Sequence, residues 1–201
     1  CALPIFVNPT KFPKNDLKSI LEEIRKYPGK YNYASTGNGT SQHLAGELFK
    51  MQNKLFITHI PYRGTGPALQ DLVAGQVDMM FDTLAGAAPF IKSGQLIAVA
   101  VASKERSPAF PNVPTAQELG INNFVVSSWY AMWAIKGTPK DIVDKMSAEV
   151  QIALASPDIK ERWAGMGASV PKMTRPELAS YINQEIVLWS EVVKKSGAKL
   201  D

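Results

Sequence analysis

Cysteine and histidine are nearly missing from this chain: Cys1 is the one thiol, and His43 and His59 are the two imidazoles. An internal disulfide is therefore excluded, and a structural or catalytic metal centre lacks the thiol and imidazole ligands it would draw on. No Gly-x-Ser-x-Gly elbow occurs, which removes the commonest serine-hydrolase signature. No apolar run approaches the ~20 residues of a membrane span, so stable membrane insertion is not expected. Sequence repeats and low-complexity tracts are missing too. A strong charge of one sign is also lacking, since 22 Lys and Arg against 18 Asp and Glu leave a net charge of +4. The basic residues are scattered instead of interleaved with aromatics on one element, which argues against a nucleic-acid binder. A weak positive field favours small anions. The start has no charged region followed by an apolar run, so no signal sequence is expected within it. Cys1 invites a lipid-anchor reading, but Ala2–Val7 reads as a strand beginning at once, without the tether such an anchor needs.

What is present is a neutral, donor-rich turn, Tyr33-Ala-Ser-Thr-Gly-Asn-Gly-Thr-Ser-Gln-His43. Gly37 and Gly39 permit backbone angles that aim successive N–H groups at one concave surface. Ser35, Thr36, Asn38, Thr40 and Ser41 add side-chain donors, and a helix is expected to begin at or just after Thr40. Its N-terminus adds unpaired N–H groups and a partial positive charge. With no Asp, Glu, Lys or Arg from Ser35 to Ser41, the loop suits holding a carboxylate better than transforming one.

The hydrophobic periodicity gives an alternation of strand, loop and helix as far as Ala102, as in parallel α/β folds. Strands are expected at 2–7, 31–35, 55–60, 77–81 and 96–102, and helices at 17–24, 44–51, 68–73 and 87–93. Ligands in such sheets sit beyond the carboxyl ends of strands, where loops 35–40, 61–66 and 82–86 would gather. After Ser103 the chain becomes Pro-punctuated, with a short helix expected at Thr115–Leu119 and a long apolar strand at Phe124–Ile135. Helices are then expected at 142–154, 158–166 and 175–195, with Pro139 and Pro157 at first helical positions behind Thr138 and Ser156.

Several residues are candidates for chemistry. His43 can either hydrogen-bond a ligand or pin the loop by packing. Asp78 and Asp82 fall on one alternation face; Asp78 reads as a structural cap and Asp82 as an acceptor for a loop or ligand donor. Arg63 is the one cation in a rim loop and can pair with a distal carboxylate or merely be solvated. Trp129, Tyr130 and Trp133 read as core or hinge packing rather than a ligand stack.

Taken in order, Tyr33–Ala45, His59-Ile-Pro-Tyr-Arg-Gly-Thr-Gly66, Gly75-Gln-Val-Asp-Met-Met-Phe-Asp82, Arg106-Ser-Pro…Pro111-Asn-Val-Pro-Thr115, Ser127-Ser-Trp-Tyr130 and Gly137-Thr-Pro139 form a recognisable series. It closely resembles the tripartite tricarboxylate transporter receptors, the Bug-type periplasmic solute-binding proteins, over essentially all of 1–201. The resemblance implies a bilobal α/β fold of the type II periplasmic-binding-protein, or Venus flytrap, kind. It implies one complete lobe over 8–126, with 1–7 and 127–201 supplying crossing strands (Ile5–Asn8 and Ser127–Ala131) and the C-terminal part of the other lobe. Members begin with a strand, a Gly-rich loop and a helix, and nothing here matches that portion. A missing N-terminal segment would carry the opposing carboxylate loop, so the chain reads as a fragment.

By the same resemblance the protein is expected to be a periplasmic monomer. It would capture a small carboxylate (a dicarboxylate, tricarboxylate, amino acid or aromatic acid) and deliver it to membrane subunits of a tripartite transporter, with no cofactor, metal or nucleic acid. The expected ligand-binding set is Ser35, Thr36, Gly37, Asn38, Gly39, Thr40, His43, Tyr62, Arg63, Asp82 and Thr83. Two alternatives stand beside it: a ligand-sensing partner in signalling, and a hydrolase or transferase using Ser35, His43 and Asp82, for which the loop lacks a poised base.

Overall fold

The computed structural model describes residues 2–165, 168–170 and 173–199. Cys1, and with it the lipid-anchor reading, lies outside them, as does Met166 at the end of an expected helix. Among the described residues five strands and seven helices follow one another: β1 (Pro4–Val7), α1 (Leu17–Lys26), β2 (Asn32–Ser35), α2 (Ser41–Asn53), β3 (Thr58–Pro61), α3 (Thr65–Val73), β4 (Met79–Phe81), α4 (Leu84–Lys92), β5 (Ile97–Val101), α5 (Lys140–Ala155), α6 (Pro157–Gly165) and α7 (Arg175–Ser196). The expected α/β class is observed.

The strands form one sheet in the order β3-β2-β4-β1-β5. β2 is parallel to β3 and β4, whereas β1 runs antiparallel to both β4 and β5. The all-parallel expectation therefore fails at one central strand. Its physical reason is that Pro4–Val7 is buried on both faces, and a doubly buried strand shows the same unbroken apolar run in either direction. β2, β3, β4 and β5 still share one direction, so the loops after β2, β3 and β4 leave from the same rim.

Side chains alternate between two apolar layers. Ile5, Val7, Tyr33, Met79 and Phe81 face a larger core with Leu17, Ile20, Leu21 and Ile24 of α1 and Leu48 and Phe49 of α2. Phe6, Ala34 and Met80 face a smaller one with Ala68, Leu69 and Leu72 of α3 and Leu84 and Ala87 of α4. α1 begins where the Asp16 carboxylate accepts the Ser19 N–H at 2.9 Å, and its four apolar positions are all buried. Asp78 does close structure, as read: its carboxylate accepts the Asn32 N–H at 2.8 Å while its own N–H donates to the Asn32 side-chain oxygen at 3.2 Å. Burial raises the Asp78 pKa above the ordinary carboxylate value.

Beyond β5 several expectations are corrected. Residues 115–119 form a turn: Thr115 and Glu118 cap each other, but Gly120 at φ +88 follows and the helix does not propagate. Residues 124–135 are not a strand. Val126 N–H reaches Ala102 O, Leu3 N–H reaches Val126 O, and Ala2 bridges Ser127, after which the chain leaves the sheet with no neighbouring strand among the described residues. Tyr130 and Trp133, read as core or hinge packing, are 89% and 71% exposed, so neither belongs to the core. At α5 the N-cap is Pro139 with no side-chain bond, and Thr138 instead donates to Ile135 O.

Candidate functional site

Ser35 pairs with Pro61 at the ends of β2 and β3, so the chain following each strand emerges side by side. A Cβ added at Gly37 would lie 3.6 Å from the Tyr62 carbonyl oxygen, and one at Gly86 would lie 3.3 Å from Thr65 Cγ2. The loop after β2 thus meets the chain leaving β3, and the first turns of α3 and α4 pack together, so the exits of the three parallel strands β2, β3 and β4 lie on a single rim.

Within the first loop, Gly37 (φ +135) and Gly39 (φ +73) take angles that favour glycine. Their N–H groups are not open donors, however. Gly37 N–H donates to Ser35 Oγ at 3.1 Å and Gly39 N–H to His43 Nδ1 at 3.0 Å. Thr40 Oγ1 donates to Gly37 O at 2.8 Å, and as N-cap it accepts the His43 N–H. The cradle is therefore self-braced, and fewer of its groups face outward than the glycine pattern suggests. Thr36 makes no hydrogen bond or ion pair among the described residues. The first intrahelical bond of α2 runs from Leu44 N–H to Thr40 O, so the N–H groups of Ser41 and Gln42 precede the helical ladder. Ser41 Oγ also lies 3.1 Å from Ser128 Oγ.

Asp82, 2% exposed, follows β4. Its Oδ1 accepts Gln42 Nε2 at 3.1 Å and Thr83 N–H at 2.7 Å. Oδ2 is buried with no hydrogen-bond partner among the described residues. Asp78 and Asp82 flank opposite ends of β4 and do not form a carboxylate pair. The Tyr62 hydroxyl donates to Asp71 at 2.7 Å, and burial followed by that bond pushes its pKa up to about 12. Arg63 is exposed and has no partner among the described residues. A cavity of about 310 Å³ borders this rim, lined by Ser41 and Leu44 of α2, residues 127–130, and Glu185 and Trp189 of α7.

Sequence reasoning passed over His59. It lies 2.6 Å from Ser35 Oγ through Nε2, and its ring stacks on His43 at 3.8 Å. The Tyr33 hydroxyl donates to Glu47 at 2.7 Å, and Lys50 meets the same carboxylate oxygen at 2.7 Å. Burial lowers the His43 pKa, and burial followed by the facing His43 lowers that of His59 to about 4. No sequence signal marks it: His59 comes beside Tyr33 and Ser35 only through the parallel register of β2 with β3, in which residues two apart on β2 and their β3 neighbours share a face.

These positions dismantle the hydrolase arrangement. Ser35 is completely buried and meets His59, not His43, and Asp82 contacts neither. Among the described residues no cluster of three or more His, Cys, Asp or Glu is placed to hold a metal, and no helix is long and apolar enough to cross a membrane.

The sequence pattern described as the tripartite tricarboxylate transporter family receptor matches residues 2–198. Protein BugT of Bordetella pertussis is 36% identical over 98% of this chain and 60% of its own length. Periplasmic binding protein BugD superimposes with a TM-score of 0.84 at 36% identity, covering 98% of this chain and 67% of BugD. MatC from Rhodopseudomonas palustris, determined with bound malate, gives 0.83 at 35% identity, covering 96% of this chain and 66% of MatC. The chain thus spans about 60% of the length of the curated relative BugT.

Proposed function

Because the chain belongs to the tripartite tricarboxylate transporter receptor family, we propose that it captures a small organic carboxylate in the periplasm and presents it to the membrane subunits of such a transporter. One observation carries this reading: three loops converge on one rim, and the central one is braced yet free of charged side chains from Ser35 to Thr40. A carboxylate fits Thr36 and the Ser41 and Gln42 amides, where the positive end of α2 adds its field. Arg63 is available for a second carboxylate, and Asp82 Oδ2 for a hydroxyl or ammonium donor on the ligand. Gly37, Gly39, Thr40, Tyr62 and Thr83 act by holding the loops, and Asn38 sits at the tip of the central one. The malate carried by MatC belongs to this chemical class. Binding without turnover follows from the buried position of Ser35.

The lobe division accompanies this reading. Residues 8–126 form the ligand-binding lobe, whose sheet β1 (Pro4–Val7) enters as a crossing strand between β4 and β5, and 127–201 belong to a second lobe that draws on further chain. Support comes from α5 and α6, which bury no residue, beside the exposed Tyr130, Met132, Trp133 and Ile135. A monomer closing around its ligand would bury the anion between lobes.

Isothermal titration of the full-length protein against malate, citrate, aspartate, glutamate and benzoate tests the proposal. At least one should bind, and Arg63→Ala should weaken a dicarboxylate by about tenfold, the loss of one charge-assisted contact. A folded protein that binds none of the five overturns the receptor reading.

A further inference from the structure

The loop assigned above to the ligand carboxylate is held by two imidazoles that the receptor reading itself leaves unused. The His43 and His59 rings lie 3.8 Å apart with 6° between their planes, and Tyr33 also stacks on His59 at 4.9 Å. Each imidazole grips a different part of the loop. His59 Nε2 is 2.6 Å from Ser35 Oγ at its start, a bond that either tautomer can make. His43 Nδ1 accepts the Gly39 N–H at 3.0 Å near its end. An accepting Nδ1 carries no proton, so the neutral His43 ring holds its proton on Nε2, which lies 4.0 Å from Glu47 Oε1.

We propose that His43 and His59 are positioning residues for the 35–40 loop, His43 as the neutral acceptor that fixes Gly39 and His59 as its stacked neighbour that fixes Ser35, so that protonation of His43 releases the loop and any anion it holds. The inference rests on the receptor reading only for the anion. A proton on Nδ1 would set donor against donor at Gly39. Gly39, at positive φ, would then lose the bond that fixes its N–H, while Gly37 stays tied to Ser35 and Thr40, and glycine has the widest range of backbone angles. A cationic ring would also sit against a second buried ring.

The charged and titratable groups around the pair are Glu47 and Lys50 on α2, Tyr33 on β2, and Asp82 after β4, the last reached through Gln42. Glu47 favours a protonated His43, but Lys50 on the same carboxylate offsets that pull, and burial outweighs both. The neutral form, and the bound loop, are therefore retained at neutral pH and lost in acid.

Amide hydrogen exchange at Gly39 of the full-length protein reads the loop without any ligand. Normalised to the intrinsic rate, protection should be high at pH 7.5 and fall by about tenfold per pH unit below the His43 midpoint, as one linked proton requires. His43→Asn keeps an acceptor near Nδ1 and cannot titrate there, so its protection should stay flat. His43→Ala should lose Gly39 protection at every pH while the Met80 amide in the sheet stays protected. His59→Gln should keep the bond to Ser35 and leave Gly39 close to the parent. Malate affinity measured on the same four proteins should follow Gly39 protection. The proposal is overturned if parent Gly39 protection is unchanged from pH 7.5 to 4.5, or if His43→Asn shows the same acid loss. Should His43→Ala unfold globally, the parent and His43→Asn profiles decide alone. Failure of malate and the rest of the panel to bind would overturn the receptor reading, and the Gly39 profile would still decide this one.

Discussion

The sheet with α1 to α4 and the helices α5 to α7 are built from similarly clear local signals, yet only the first is packed. β1 to β5 place apolar residues on both faces, and Leu3, Ile5, Phe6, Tyr33, Phe49, Phe81 and Phe124 are all 1% exposed or less. By contrast α5 and α6 bury nothing and α7 buries only Val192 among the described residues. The C-terminal helices are not locally weak. α7 begins with a capping box between Thr174 and Glu177, has Pro176 in its first turn and ends on Gly197 in the left-handed region. The lesson is that caps and prolines fix where a helix starts and stops, while burial requires a second surface. Ile142, Met146, Ile152, Ile186 and Val187 are apolar without one.

The contrast predicts very unequal responses to truncation. Phe81 is fully buried and touches Tyr33, Phe49 and Phe124 at ring separations of 5.8, 5.3 and 6.2 Å. Phe81→Ala should cost about 3–5 kcal/mol by urea denaturation, the sum of lost transfer energy and the cavity left behind. A loss near zero would break the contrast at its strongest point.

Gly46→Ala comes next. A Cβ there would lie 2.1 Å from Tyr33 Cε2, far inside contact distance, and Tyr33 is held by His59 and Phe81 on its sides and Glu47 at its hydroxyl. Overpacking of this kind should cost about 2–3 kcal/mol. Tyr33→Phe relieves nothing and removes a buried hydroxyl that donates to Glu47 and also reaches the His43 carbonyl oxygen; with Lys50 still on Glu47, the loss should be about 1 kcal/mol. The double variant Tyr33→Leu, Gly46→Ala should recover part of the Gly46→Ala loss if the clash is its cause.

Acid should act on the packed part first. His43 and His59 have folded pKa values below the ordinary 6.5, so the unfolded chain binds more protons in that interval. Their contribution to stability is complete above 6.5 and is lost as pH falls from there toward about 4, the His59 value. The urea midpoint should therefore drop across this window in the parent and drop less in His43→Asn, His59→Gln. Equal slopes would show that the two imidazoles are not the cause.

Much of the packed region was legible because its signals are local. Leu17, Ile20, Leu21 and Ile24 at helical spacing gave α1, and Gly37, Gly39 and Thr40 gave the loop and the start of α2. The rim loops followed from strand alternation, although the antiparallel β1 did not, since burial on both faces hides direction. What stayed hidden was pairwise and long-range: Ser35 with His59, Asp82 with Gln42, and Gly39 with His43. Each depends on which side chains two separate elements bring together. The run 124–135 misled for the opposite reason. Its apolar composition asks for burial, and strand was the simplest form of burial to infer, but beyond Ser127 no strand pairs with it among the described residues.

The smallest effect is the most discriminating. Trp133 and Ile135 are 71% and 87% exposed, so Trp133→Ala or Ile135→Ser should change the stability of this 201-residue chain by less than about 0.5 kcal/mol. If the exposed face belongs to a second lobe completed by further chain, the same substitutions should be costly in a protein of the length BugT has. A buried tryptophan truncated to alanine loses about 3–5 kcal/mol, several times the value in the shorter chain. Hydrogen exchange in α5 to α7 should change in parallel, fast in the short chain and slow in the long one, while the sheet amides stay slow in both. Equal substitution costs in the two lengths would mean that Trp133 and Ile135 face solvent in both, and the division at residue 127 would have to be withdrawn.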